Sequence, residues 1–278
     1  MSGEPNKSIL ITGCSSGIGL ASAVRLRQRG WRVLATARGD EDLAHLRNDI
    51  GVEAIHLELG DPASVTACVE QAMSLTDGRL DAVFNNAAYG QPGALEDLDG
   101  ETVRRQFEVN VFALHDITRR VLPYMRARNS GRIVHCSSVL GLVAAPYRGA
   151  YCASKFAVEA MADTLRLELA GSGISVSLIE PGPIDTRFVE TAMAMARAHV
   201  DIENSVHRNR YEQMIVSMEK GGKQMFKLPP ERVADKLVHA VESRRPKRRY
   251  YVTTPTYVVA AARRVLPVSA LDWFAAKN

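Results

Sequence analysis

The sequence predicts a doubly wound α/β fold, a parallel sheet of about seven strands with helices on both faces. Three observations predict it. Short β-branched runs recur along the 278 residues, longer amphipathic stretches separate them, and a glycine-rich turn joins the first run to the first such stretch. Strands linked by helical crossovers pair in parallel, and both faces of the sheet are then covered.

The elements follow in order. Residues 8–12 read as a buried strand, 18–29 as the helix after it, and 32–36 as a second strand. A third strand spans 53–57, and the helix over 62–75 opens on Pro62, whose fixed φ suits a first turn. The fourth strand is 81–85. A long helical region follows from about 100 to 128, which Pro123 should end or bend. Residues 132–137 give a fifth strand, 150–170 a helix, 174–179 a sixth strand, and 248–253 a seventh. No linker rich in Gly and Ser divides the chain, so a single domain over 1–278 is expected. Between 186 and 228 the helical pattern turns patchy. That segment leaves the carboxyl edge of the sheet, where open α/β sheets bind ligands, and it reads as a substrate lid.

Composition excludes several classes. A net charge of +4 is too weak to suggest a nucleic-acid partner. No apolar run approaches the roughly 20 residues that span a bilayer. Cys14, Cys68, Cys136 and Cys152 form no C-x-x-C pair and have no histidines at zinc spacing, so no metal is expected and they read as reduced thiols. No charged-then-apolar leader precedes the first strand, which points to the cytoplasm.

Two motifs carry chemistry. In Thr12-Gly13-Cys14-Ser15-Ser16-Gly17-Ile18-Gly19 the glycines permit a tight turn and close approach of backbone to a ligand. Free N–H groups at the helix start favour a pyrophosphate. The second strand ends Thr36-Ala37-Arg38, so Ala37 fills the slot where an NAD site places a carboxylate. A guanidinium at 38 suits a 2′-phosphate, which favours NADP(H) over NAD(H); the alternative is a solvated loop cation. Ser15 adds a candidate hydroxyl contact. Tyr151 and Lys155 stand one helical turn apart in Tyr151-Cys152-Ala153-Ser154-Lys155. A free tyrosine titrates at about 10, and a neighbouring ammonium lowers that value, so the pair can exchange a proton near neutrality. Ser138 ends a strand thirteen residues earlier, and Asn110 sits among apolar residues where its amide needs partners.

With these residues in this order, the chain resembles the compact short-chain dehydrogenases/reductases over nearly its whole length. The resemblance rests on TGCSSGIG at 12–19, NNAA at 85–88, Asn110, SSVLG at 137–141, YCASK at 151–155 and PGPIDT at 181–186. It implies a Rossmann-type seven-stranded sheet and an Asn110–Ser138–Tyr151–Lys155 tetrad. Tyr151 would protonate a carbonyl oxygen as hydride arrives, and Ser138 would orient that oxygen. Lys155 would bond the nicotinamide ribose and acidify Tyr151, and Asn110 would hold a relay water. Cofactor contacts are implied for Gly13, Ser15, Ser16, Gly17, Ile18, Gly19, Arg38, Glu58, Leu59, Asn86, Ala87, Tyr151, Lys155, Pro181 and Gly182. Ile184 and Thr186 would anchor the carboxamide. Two positions depart from the family pattern: Ala88 replaces a glycine, and Glu58-Leu59 replaces Asp-Val.

The pieces 223–226, 230–234 and 246–251 are similar to the branch holding 17β-hydroxysteroid and retinol dehydrogenases and to bacterial aldehyde and ketone reductases. That implies an apolar carbonyl or alcohol substrate. Met193, Met195, Met214 and Met218 would suit an adaptable apolar pocket or pack the lid down. His207 and Tyr211 read as lid-surface residues. The basic run 244–249 and the apolar tail 257–274 can touch a membrane surface, but packing or subunit contact is favoured. A homodimer or homotetramer is implied by resemblance. Two rival readings stay open, a non-catalytic NADP(H)-binding sensor or scaffold and a sugar-nucleotide epimerase or dehydratase.

Overall fold

The computed structural model describes residues 7–219 and 226–277. Seven parallel strands form one sheet in the order β3-β2-β1-β4-β5-β6-β7. These are β1 (Ser8–Ile11), β2 (Arg32–Ala37), β3 (Glu53–His56), β4 (Ala82–Asn85), β5 (Gly131–Cys136), β6 (Ile174–Glu180) and β7 (Arg249–Tyr251). Strand order reverses at β1, and the crevice beside β1 and β4 is the switch point where ligands of such sheets bind. The helices are α1 (Gly17–Gln28), α2 (Asp40–His45), α3 (Pro62–Leu75), α4 (Gly100–Phe107), α5 (Ala113–Ala127), α6 (Gly149–Glu168), α7 (Phe188–His199), α8 (Arg208–Glu219), α9 (Glu231–Glu242), α10 (Thr254–Val265) and α11 (Val268–Lys277).

Two cores, one on each face, explain why the strands read as continuous apolar runs. Ile9 and Ile11 point to the face covered by α1 and α9, where Leu26, Val233 and Leu237 meet them. Leu10 between them points to the other face, against Val69, Ile117 and Val158 of α3, α5 and α6. Helix starts are set locally. Asp61 caps α3 by accepting from Ala63 N at 2.9 Å, and Asp99 caps α4 by accepting from Thr102 N at 2.7 Å.

The expected helix over 100–128 is corrected in one respect. It is interrupted by a wide π-type turn at Glu108–Phe112, whereas Pro123 sits inside α5 without ending it. Pro123 is exposed, as is Arg119, whose carbonyl loses its partner in the helix. The π-type turn contains Asn110, and such turns are frequent at functional sites.

The segment 186–228 begins and ends at one point. Asp185 N donates to Leu228 O at 2.8 Å, and Leu228 N donates to Pro183 O at 3.1 Å. Helices α7 and α8 lie between. Lys223, Gln224 and Met225 fall outside the described residues, as does the Met218 side chain. Among the described residues no helix is long and apolar enough to cross a membrane.

Candidate active site

The sheet's carboxyl edge opens into a cleft of about 2110 Å³. Its first wall is the turn after β1. Gly13 and Gly17 have φ of +73° and +56°, the left-handed region that glycine enters at no cost. Gly19 needs its missing side chain for another reason: a Cβ there would lie 2.0 Å from Gly13 O. The Thr12 hydroxyl accepts from Asn86 N and Ala87 N, each at 2.9 Å, and Asn86 Nδ2 donates to Thr12 O at 2.9 Å. The turn is thereby laced to the end of β4. Ser16 precedes α1 with no capping bond from its side chain, and no acid stands in the first helical turn. The N–H groups there face the cleft beside Gly13, Ser15, Ser16, Gly17 and Ile18. This cradle fits a dinucleotide pyrophosphate: close approach is secured by glycines that a Cβ would fill, and the first turn of α1 carries no carboxylate to oppose an anion.

Arg38, Glu58 and Leu59 line the same cleft further out. The Arg38 guanidinium is 74% exposed and lies 3.6 Å from Glu58. Asp42 of α2 also borders this end. Sequence reading passed over it, although the acidic run 40–42 was there to be noticed. On the opposite wall, Pro181, Gly182, Ile184 and Thr186 follow β6. The Thr186 methyl lies 2.8 Å from where a Gly17 Cβ would stand, so the two walls nearly touch. Ala88 has no positive φ, which is why alanine serves where the family pattern has glycine.

Ser138, Tyr151 and Lys155 meet at the centre of the cleft. Tyr151 is 9% exposed and its ring packs on Phe188 at 5.4 Å between centroids. Burial pushes the phenol well above the ordinary tyrosine range; a hydrogen bond from Ser138 opposes this, as does the charge of Arg148. Ser138 Oγ also accepts from Leu140 N at 3.1 Å, which fixes the hydroxyl. Lys155 Nζ lies 5.7 Å from the Tyr151 ring centroid and donates to Cys136 O at 2.8 Å. Arg148 borders the cleft one turn before Tyr151 and was missed by sequence reading; a lone cation at the entrance of the YCASK helix was its signal.

Asn110 does not border the cleft. It is 1% exposed, accepts from Tyr89 N at 3.1 Å, and donates to Tyr89 O at 2.9 Å and Ser154 Oγ at 3.1 Å. Gln106, one turn earlier, accepts from Gln91 N at 2.7 Å and donates to Tyr89 O at 2.9 Å. One amide just before the π-type turn and one inside it therefore hold the loop after β4, and Asn110 links it to α6. Gly19 is likewise buried behind the cleft.

The lid corrects the surface placement of Tyr211, which is 3% exposed. Its hydroxyl accepts from Ala94 N at 2.7 Å and donates to Asp97 at 2.7 Å. His207 is half-buried and bridges Glu96 at 2.6 Å and the Tyr147 hydroxyl at 3.2 Å. The lid folds back onto a loop a hundred residues earlier, a contact that local sequence cannot announce. Tyr211→Phe would leave Ala94 N buried without an acceptor, a loss of about 1–3 kcal/mol. The expected result is a lower unfolding free energy by that amount and faster hydrogen exchange across α8; unchanged exchange would show that the hydroxyl does not latch the lid. Met195 and Met214 border the cleft, and Val258, Val259, Ala262 and Leu266 of the C-terminal segment close its mouth.

Fold and site together define a nucleotide-dependent oxidoreductase class, and comparison with known proteins agrees. A family model described as short chain dehydrogenase matches residues 7–197. The "Uncharacterized oxidoreductase YbbO" of Escherichia coli K12 is 43% identical over 96% of this chain and 93% of its own. Human "17-beta-hydroxysteroid dehydrogenase type 1" is 34% identical over 88% of this chain and 77% of its own. A short-chain dehydrogenase from Sphingobium yanoikuyae solved with NADPH superposes with a TM-score of 0.71, 28% identity and coverage of 96% and 92%. One from Burkholderia phymatum, solved with NAD, gives a TM-score of 0.78, 26% identity and coverage of 93% and 92%. The chain belongs to the short-chain dehydrogenase family and is an oxidoreductase of that family.

Proposed function

We propose that this chain is an NADP(H)-dependent oxidoreductase that interconverts apolar carbonyl compounds and alcohols. The observation that carries the reading is the meeting of Tyr151, Ser138 and Lys155 inside a cleft whose outer end presents Arg38 and whose mouth is apolar. When bound, the nicotinamide supplies or accepts the hydride. The chain's residues do the rest. Tyr151 gives its proton to the carbonyl oxygen in reduction and takes it back in oxidation. Ser138 donates to the same oxygen and orients it. Lys155, buried at 3% exposure, holds positive charge under the Tyr151 ring. Asn110 acts from behind, fixing the Tyr89 backbone and Ser154. The raised phenol keeps its proton at neutral pH, which suits the acid needed for reduction. Ile184 and Thr186 are placed to anchor the carboxamide. Loss of NADPH absorbance with a panel of aldehydes and ketones tests the reading; no turnover across the panel would favour a cofactor-binding sensor instead.

NADP(H) preference rests on Ala37 and Arg38. The Arg38–Glu58 contact is exposed and long, so it is worth little and yields easily to a 2′-phosphate. Arg38→Asp is expected to weaken NADPH and spare NADH, changing the ratio of their kcat/KM by roughly 10–100-fold, the size of one lost bidentate charge-assisted contact of about 1.5–3 kcal/mol. An unaltered ratio would remove Arg38 as the determinant.

The paired ends at 183–185 and 228 support reading 186–228 as a lid within one domain. A cytoplasmic location accords with four buried free cysteines, of which Cys14 and Cys68 are pushed up to about 12 by burial and are unreactive. A homodimer or homotetramer paired across α5 and α6 would cover Phe112, Tyr124 and Leu167, which stand exposed. Sedimentation velocity distinguishes this from a monomer.

A further inference from the structure

Behind Lys155, away from the cleft, lies a buried charge cluster that the proposed chemistry leaves unused. Arg249, at the start of β7, reaches three carboxylates: Glu159, Glu180 at 2.5 Å and Asp163 at 2.6 Å. The Glu180 side chain is fully buried and that of Glu159 is 9% exposed. Glu159 follows Lys155 by one turn on α6, and Glu180 ends β6 immediately before the Pro181-Gly182 wall of the cleft. One oxygen of each carboxylate, together with Ser137 Oγ, is buried without a well-formed hydrogen bond. Ser137 and Glu159 pack behind Gly141, whose missing Cβ would meet Ser137 Oγ at 2.6 Å and Glu159 Cγ at 3.0 Å.

A buried cluster of this kind adds little stability over apolar packing. Its place beside Lys155 points elsewhere. We propose that Glu159, held as an anion by Arg249 while Glu180 keeps a proton, maintains Lys155 as an ammonium and thereby governs how readily Tyr151 releases its proton. Glu159 is thus a positioning residue. The inference rests on the role given to Tyr151 above.

The physical need is plain. Burial lowers the Lys155 ammonium and favours the neutral amine; Cys136 and then the Glu159 charge act in the opposite sense. Two carboxylates beside one guanidinium cannot both ionise cheaply. Burial and then the Glu159 charge push Glu180 up to about 8. Burial raises Glu159 above the ordinary carboxylate range as well, and the Arg249 guanidinium bonded to it opposes that rise. The other groups facing the cluster are Arg166 on α6, which holds Asp163 at 2.9 Å, Tyr251 on β7, and Cys136 and His135 on β5 near Lys155. His135 is held neutral, its ring driven down to about 3 by burial and by Lys155.

The test uses full-length enzyme, NADP+ and the alcohol matching its best substrate. In Glu159→Gln the rising limb of kcat for oxidation moves to higher pH by about one unit, so turnover at pH 7 falls about tenfold with little change in KM; Glu159→Asp restores most of it. A limb that stays in place overturns the proposal. A second measurement needs no activity. Folded wild-type protein should show the infrared band of a buried protonated carboxyl at pH 7, lost as pH rises through about 8 and missing in Glu180→Gln. Because the folded pKa is raised, Glu180 contributes most stability at low pH and loses it as pH rises through that value, so Glu180→Gln flattens the fall of Tm. Absence of the band also overturns the proposal. A wild type inactive on every substrate would refute the functional reading while leaving the infrared result to stand by itself.

Discussion

Tyr151→Phe is expected to lower kcat for carbonyl reduction by about 10²–10⁴-fold, the range that a positioned general acid supplies. NADPH affinity should change little, because the phosphate cradle is built by the turn after β1 and not by the phenol hydroxyl. The fold should survive: the ring keeps its packing on Phe188 and loses only a bond to a hydroxyl that has another partner in Leu140 N. Stopped-flow NADPH oxidation, beside an equilibrium binding titration, separates the two effects. A variant that keeps its rate would move the proton chemistry to another group.

Gly19→Ala is expected to weaken cofactor binding without touching any group that contacts the substrate. The added Cβ would stand 2.0 Å from Gly13 O and 2.9 Å from Asn86 Nδ2. Both neighbours are fixed, one by backbone at a positive φ and the other by its bond to Thr12 O. No flexible side chain can yield, so α1 must move away from the turn. Overpacking of this kind costs about 1–3 kcal/mol or more. If that cost falls on the cradle, NADPH binding weakens by roughly 10–100-fold. Isothermal titration measures the binding loss, and Tm shows how much falls on the fold. Normal affinity in Gly19→Ala would mean that the turn after β1 is not where the pyrophosphate sits.

The strands were legible because both faces of the sheet are buried, so each reads as a β-branched run. Ile9, Leu10 and Ile11 divide between two cores, yet all are apolar. The cleft-lining motifs were legible for a related reason: glycines at 13, 17 and 19 and the Tyr151–Lys155 spacing are local constraints. What escaped was non-local or irregular. The π-type turn at Glu108–Phe112 leaves no mark in apolar periodicity, and Pro123 drew attention to the wrong place. Helix α9 carries a plain amphipathic pattern in Val233, Ala234, Leu237, Ala240 and Val241, but it was read only as a family segment. Tyr211 is buried because a loop from residues 94–97 rises to meet it. The Arg249 cluster joins α6, β6 and β7, and no window of sequence holds all its members.

The central claim is that hydride passes between a nicotinamide held in this cleft and a carbon whose oxygen faces Tyr151. Incubation of the enzyme with NADPH deuterated at C4 and an aldehyde, followed by mass spectrometry of the alcohol, tests it most directly. The account predicts one deuterium on the carbinol carbon from one face of the nicotinamide, with transfer lost in Tyr151→Phe. Alcohol formed without deuterium from either C4-labelled form, or labelled alcohol formed equally fast by Tyr151→Phe, would contradict it.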